Sequence, residues 1–203
     1  MSHHTTDVTL NDGRIMKIYV PDPDADLDKL VAFLSGLPQS ERNNMRYNVT
    51  DKKYGAQRLR MVDGVDHWRL LAEVDGAVVG DATMDRSLYQ WTRHVADLRC
   101  AVDPIYEKLG VRVVLLKALV ELSGAAGIER LCSEVLDSQP GLISSLDGLG
   151  FTREVVRKHY AKDLTGTYHD VIVMSNDREP VWRRLSECLE DMDVQYSRIY
   201  GGE

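Results

Sequence analysis

The chain of 203 residues is short of several things at once. It has three cysteines, with no two at metal-ligand spacing. An odd, scattered set of thiols excludes a disulfide framework and reads as reduced cysteines in a cytoplasmic setting. Positive charge is also scarce, with 25 Lys and Arg against 32 Asp and Glu, a net charge of −7. That balance excludes a dedicated nucleic-acid binder, whose footprint would be basic. The longest apolar run, near Val111–Leu122, is interrupted by Arg112, Lys117 and Glu121, so it is too short and too charged to cross a bilayer. The first residues lack the apolar core of a signal peptide. There is no internal repeat, no low-complexity tract, and no Gly-rich nucleotide fingerprint after the first predicted strand.

What is present suffices for a globular chain. Hydrophobic residues make up 43% and charged residues 28%, enough to bury a core of ordinary size in one domain with additions. A soluble, cytoplasmic protein is expected. The polar head, residues 1–12, reads as loose. His3 and His4 sit there, and a frayed terminus explains them better than a metal site.

Periodicity then gives an element order. Arg14–Val20 reads as a first strand, stopped by Pro21 and Pro23. Asp22, Asp24, Asp26 and Asp28 lack the glycine and the final Glu of a calcium loop. They are expected to cap a helix over Leu27–Leu37, in which Leu27, Leu30, Val31 and Leu34 share one face. Short helices over Ser40–Tyr47 and Tyr54–Met61 follow. Trp68–Val74 alternates as a strand, and Asp75-Gly76 is a hairpin signal leading into Ala77–Met84. A strand over His94–Val102 and a helix from Gly110 to Ala126 come next. Arg130–Leu136 reads as a strand, Pro140–Leu149 as a helix, and Phe151–Tyr160 and Tyr168–Ser175 as the last two strands. An amphipathic helix over Pro180–Met192 closes the chain, with Trp182, Leu185 and Leu189 facing in. The order predicts an α/β fold with a mixed sheet.

One joint could carry chemistry. The strand ending at Val102 runs through a short turn into the helix opening near Gly110. A helix N-terminus presents unpaired N–H groups and partial positive charge, which suits phosphate. Gly110 would let a ligand approach the backbone, and Arg112 adds a cation.

The runs Asp97-Leu98-Arg99-Cys100-Ala101-Val102-Asp103-Pro104, Glu107-Lys108-Leu109-Gly110-Val111-Arg112 and Leu115-Leu116-Lys117-Ala118-Leu119 together resemble the central motif of the GNAT acyltransferase superfamily. Gly127-Ile128, Leu131 and Leu146-Asp147-Gly148-Leu149-Gly150-Phe151 extend the resemblance over residues 13–176. It implies a mostly antiparallel twisted sheet flanked by helices, with residues 177–203 as an added C-terminal helix and tail. It also implies transfer of an acyl group from acetyl-CoA or another acyl-CoA to an amine, on a small molecule or a protein. Cys100, Ala101 and Val102 would then offer backbone groups to the pantetheine, and Lys108, Leu109, Gly110, Val111 and Arg112 would cradle the pyrophosphate. No nucleic acid or membrane partner is implied, and a homodimer is allowed. The chain departs from the family pattern at Glu107, at Arg112 where a small residue is usual, at Gln139 where an Asn is usual, and at Leu146 where a Tyr commonly protonates the leaving thiolate. Those departures keep open an alternative, a catalytically inactive relative that senses CoA or binds a protein.

Direct attack of an amine on a thioester needs a base, an oxyanion donor and often an acid. Asp97 is the expected base; a salt bridge to Arg99 is its structural alternative. His94 could serve as a base, or stand exposed at a strand edge. Cys100 could be a nucleophile, but an apolar strand favours a core role, as for Cys132 and Cys188. His159-Tyr160 and Tyr168-His169 could face each other and supply an acid or a metal pair, although no third zinc ligand is visible. Trp68 and Trp91 read as sheet packing. An acidic chain mildly favours a cationic acceptor.

Overall fold

The computed structural model describes residues 5–192. His3 and His4 lie outside the described residues. An eight-stranded sheet runs through the molecule in the order β1-β2-β3-β4-β5-β6-β8-β7. The strands are β1 (Thr5–Thr9), β2 (Ile15–Tyr19), β3 (His67–Val74), β4 (Ala77–Arg86), β5 (Val95–Val102), β6 (Arg130–Leu136), β7 (Thr152–Lys162) and β8 (Tyr168–Asp177). The helices are α1 (Leu27–Gly36), α2 (Gln39–Asn43), α3 (Lys52–Arg60), α4 (Val111–Ala125), α5 (Pro140–Gly148) and α6 (Arg178–Asp191). Every strand pairing is antiparallel except β5 with β6. Those two are joined through α4, as a parallel pair requires a crossover.

The sheet is covered on both faces. On one, Met16, Leu70, Ala82, Met84 and Leu98 pack with Leu115 and Leu119 of α4 and Leu185 of α6. On the other, Leu30, Phe33 and Leu34 of α1 and Leu59 of α3 cover Tyr19, Leu71 and Val78. Gly80 fixes the spacing of the first face. A Cβ there would come within 2.7 Å of Leu115 and 3.1 Å of Val111, so α4 lies directly on β4. The Asp75-Gly76 turn has positive φ at both residues, 51° and 81°, as a type I′ hairpin needs.

Three expectations are corrected. Thr5–Thr9 is a strand, held in register with β2 from Thr5↔Tyr19 to Thr9↔Ile15. Alternation is weak there because only Val8 is buried, so the segment looks loose in sequence. The acids before α1 do not cap it with side chains; Asp22 Oδ1 instead accepts from the N–H groups of Asp24 and Ala25, and Asp26 Oδ2 from that of Asp22. They tie up the preceding turn. Trp91 is 84% exposed in the β4–β5 connection and packs on no sheet, whereas Trp68 is buried as expected. In α6 Trp182 faces in with Leu185 and Leu189 as expected, half-buried against the core under the Lys117 ammonium, 3.4 Å from its ring centre, and Val181 is buried beside them.

Candidate active site

The parallel pair β5–β6 is short. Only Val95–Asp97 is in register with Arg130–Cys132. Beyond that point β5 keeps its partner β4 as far as Gly80↔Val102, and β6 keeps β8, its partner along the whole strand on the other edge. The strands part, and across the gap the Ser133 hydroxyl of β6 donates to the Leu98 carbonyl of β5 at 3.2 Å. A cavity of about 690 Å³ passes through the split. Leu98–Val102 of β5 and Ser133 and Glu134 of β6 line it, with Gln139–Leu142, Ser145 and Leu146 at α5 on one side and α1, α3 and their connection on the other.

The chain after β5 turns at Glu107–Leu109, and Gly110, at φ 83°, redirects it into α4. A left-handed residue at that junction suits glycine. No side chain caps α4. Val114 is the first α4 residue whose N–H reaches back, to Gly110, at 3.0 Å, which leaves the N–H groups of the first three helical residues without a partner inside the helix.

No family model and no curated protein matches the chain. Solved structures do. An acetyltransferase of the GNAT family from Streptococcus pneumoniae superposes with a TM-score of 0.67 at 23% identity, over 80% of this chain and 99% of that one. The ribosomal-protein-alanine N-acetyltransferase from Brucella melitensis gives 0.66 at 23%, over 79% and 98%. The protein yncA from Salmonella typhimurium, solved with its cofactor acetyl-CoA, gives 0.67 at 16%, over 80% and 94%. The chain has the GNAT fold.

Within that fold the expected site residues separate into two groups. Cys100, Ala101, Val102 and Arg112 line the cavity; Lys108, Leu109, Gly110 and Val111 do not. Arg112 is placed unexpectedly. Its Nη1 donates to the Cys100 carbonyl at 2.8 Å, its Nε donates to Glu107 at 3.2 Å, and its Nη2 also bonds Glu107. The guanidinium therefore occupies a main-chain acceptor on the open edge of β5. Glu107, awkward beside a phosphate, is the partner that holds it there.

Asp97 stands where the strands part, opposite Asp85 of β4 and Cys132 of β6. It does not line the cavity. Burial raises its pKa above the usual carboxylate value, and Arg99 and Arg46 pull the other way. The salt bridge to Arg99 exists, at 3.5 Å. Cys100 is a wall residue whose thiol burial pushes up to about 12, so it stays protonated, in keeping with the expected core role and against a nucleophile. Cys132 is pushed up to about 11 for the same reason. His94 is exposed and off the cavity.

The last hairpin does not supply an acid. The register between β7 and β8 shifts between Arg157 and Ala161, and His159 takes a φ of 49°. Tyr160 and Tyr168 point outward, 66% and 60% exposed, and neither lines the cavity. His159 and Tyr168 do meet, at 6.4 Å between ring centres. His169 turns elsewhere, between Asp137 and Asp163 at 3.2 and 3.1 Å. No group of three metal-ligating side chains occurs among the described residues.

Leu146 lines the cavity, so the position has no proton to give, but other hydroxyls do line it: Tyr47 and Tyr54, stacked at 4.7 Å, and Ser145. The sequence reading also missed a charged wall on the α3 side. Arg69 is bidentate to Asp81, at 2.7 Å twice. Arg58 and Arg99 both donate to Asp85 Oδ2, at 2.9 and 2.6 Å, and His67 Nδ1 lies 2.8 Å from Oδ1. Burial works to raise the Asp85 pKa, but the His67 bond and the two guanidiniums outweigh it and hold it below the ordinary value.

Proposed function

We propose that the protein is an N-acyltransferase that moves an acyl group from an acyl-CoA, acetyl-CoA first, to an amine by direct attack in a ternary complex. One observation carries this reading. Two parallel strands part after Asp97, and the cavity between them is lined by Arg112, in the first turn of an uncapped helix that a left-handed glycine introduces. Pantetheine amides are peptide-like and add to an open strand edge at Cys100–Val102. A dianionic diphosphate takes the N–H groups of Val111, Arg112 and Val113, with Lys108–Gly110 as the turn around it.

Chemistry follows from that pose. The attacking nitrogen must be a free amine, so a base removes one proton from its ammonium form. Asp97 takes it through a water, and its raised pKa makes it a better base than an exposed aspartate. The amine then bonds to the thioester carbon, and N–H donors at the split hold the oxyanion. The C–S bond breaks as the nitrogen gives up its second proton, which is relayed through a hydroxyl of the cavity wall to the departing thiolate. Tyr47 and Tyr54, whose hydroxyls belong to cavity-lining residues, replace as proton donors the tyrosine that position 146 lacks.

Arg112 favours a second reading, a CoA-binding relative without catalysis, because its guanidinium already holds the Cys100 carbonyl. On the first reading the arriving diphosphate draws Arg112 from Glu107 and frees that carbonyl. Melting curves and thioester turnover separate the two. Acetyl-CoA at a hundred times its Kd stabilises a binder by ~2.7 kcal/mol, which raises Tm by roughly 5–10 °C for a chain of this size. A shift with turnover over an amine panel supports the transferase. A shift without turnover supports the inactive relative, and no shift with any acyl-CoA removes both.

A further inference from the structure

The α3-side wall of the cavity is richer in guanidinium than in carboxylate. Arg58 of α3, Arg69 of β3 and Arg99 of β5 all line it, with Asp81 beside them and Glu41 in the connection between α1 and α3. Asp81 is already spent on Arg69 in a buried bidentate pair, each side chain under a tenth exposed. Arg58 and Arg99 share one oxygen of Asp85, and Asp85 lies behind them, outside the cavity lining. Its second oxygen is against His67. The next carboxylate, Asp97, is 3.5 Å from Arg99. Arg99 Nε is buried with no hydrogen-bond partner. Two cations that line the cavity thus converge on Asp85, with Arg99 Nη2 also on Asp97 and Arg58 Nη1 also on the Met61 sulfur, which leaves Arg99 Nε unpaired. Paired guanidiniums recognise a planar anion better than any other side-chain arrangement. Around them Leu30, Leu34, Leu37, Met45 and Val49 give the same space apolar walls.

Resting on the transferase reading above, we infer that the acceptor is a small amine that also carries a carboxylate, an amino-acid-like zwitterion with an apolar body, whose carboxylate is held by Arg58 and Arg99. Asp97 lies 3.5 Å from Arg99 and off the cavity lining, so an amine one or two bonds from a carboxylate held by the pair is placed to pass its proton to Asp97 through a water. This reverses the expectation of a cationic acceptor drawn from net charge, because the charge of the whole chain says little about its cavity. Polyamines and aminoglycoside-like cations meet two guanidiniums here and are disfavoured.

The test compares free L-methionine, L-leucine and L-phenylalanine with their amides, and with spermidine, as acceptors for acetyl-CoA. The free acids are expected to exceed their amides at least tenfold in kcat/KM. Arg58→Gln should bring that ratio to within threefold through KM, and Arg58→Lys should restore part of it. Amides or spermidine acetylated as well as the free acids overturn the inference. A binding arm does not depend on catalysis. N-acetyl-L-methionine is titrated into the CoA-saturated protein, the wild type against Arg58→Gln and Arg99→Gln, each checked for an unaltered circular dichroism spectrum. Binding at least tenfold tighter to wild type than to both variants upholds the anion site even with no turnover, in which case the transferase reading alone falls. Binding equal in all three, or absent from all three while CoA binds, overturns the anion site.

Discussion

Arg112 is the residue on which the donor site turns. Its three hydrogen bonds, to Glu107 twice and to the Cys100 carbonyl, make a bridge across the edge where the donor should lie. Removing the charge of its partner should loosen it. Glu107→Gln is expected to tighten acetyl-CoA at least threefold by titration calorimetry, since a neutral amide neither holds the guanidinium as firmly nor repels a diphosphate. Weaker binding would mean that the bridge supports the site. Asp97→Asn should lower kcat at least tenfold near neutral pH, flatten the acidic limb of the pH–rate profile, and leave donor affinity unchanged. An unaltered profile would move the base to Glu134, which lines the cavity and is paired with Arg46 and Arg157.

At the scale of elements, α4 and the last hairpin make separate claims. Since α4 rests on Gly80 with no room for a methyl group, Gly80→Val should cost about 1–3 kcal/mol by overpacking and lower Tm by roughly 2–4 °C for each kcal/mol. An unshifted melting curve would mean that the helix lies farther from the sheet. The hairpin loop is held by His169 between two aspartates. The bond to Asp163, with Asp137 on the other ring nitrogen, raises the pKa of His169, while Thr165 and then His169 hold Asp163 well below its ordinary value. A raised histidine pKa stabilises fully below the unfolded value of about 6.5 and fades as pH rises through the folded value. A lowered aspartate pKa acts in the opposite sense and is lost in strong acid. The loop should therefore be best protected from hydrogen exchange at mildly acidic pH. The His169 ring, followed by NMR, should titrate above 6.5 and fall back in Asp163→Asn. A ring that titrates at or below 6.5 in wild type would show that the clamp does not form.

Which features were legible in the sequence follows from distance along the chain. Asp75-Gly76, the alternation of β3 and the stripe of α1 are encoded within a few residues of themselves, and all three stand where pattern reading puts them. Gly110 was legible for the same reason, since one residue and the strand and helix beside it define the turn. The β7 shift at His159 was not, because a bulge depends on how β8 pairs with it; a simple two-residue period aims Tyr160 and Tyr168 at each other and into a site they do not reach. The arginine wall was least legible. Arg58, Arg69, Asp85 and Arg99 come from four elements, and only the folded sheet sets them side by side. Arg112 was visible as an odd residue, but its reach to Cys100 depends on the opening of the strands.

For the whole molecule, the account reduces to the use of one cleft. The parallel pair opens after Asp97, the helix behind it begins without a cap, and the cavity runs from that point to the arginine wall. A crystal structure with bound acetyl-CoA tests this most directly. The account predicts diphosphate density against the N–H groups of Val111–Val113, pantetheine between β5 and β6, the thioester beside Asp97, and Arg112 turned away from the Cys100 carbonyl. Donor density elsewhere on the protein, with Arg112 still bonded to that carbonyl, would contradict it.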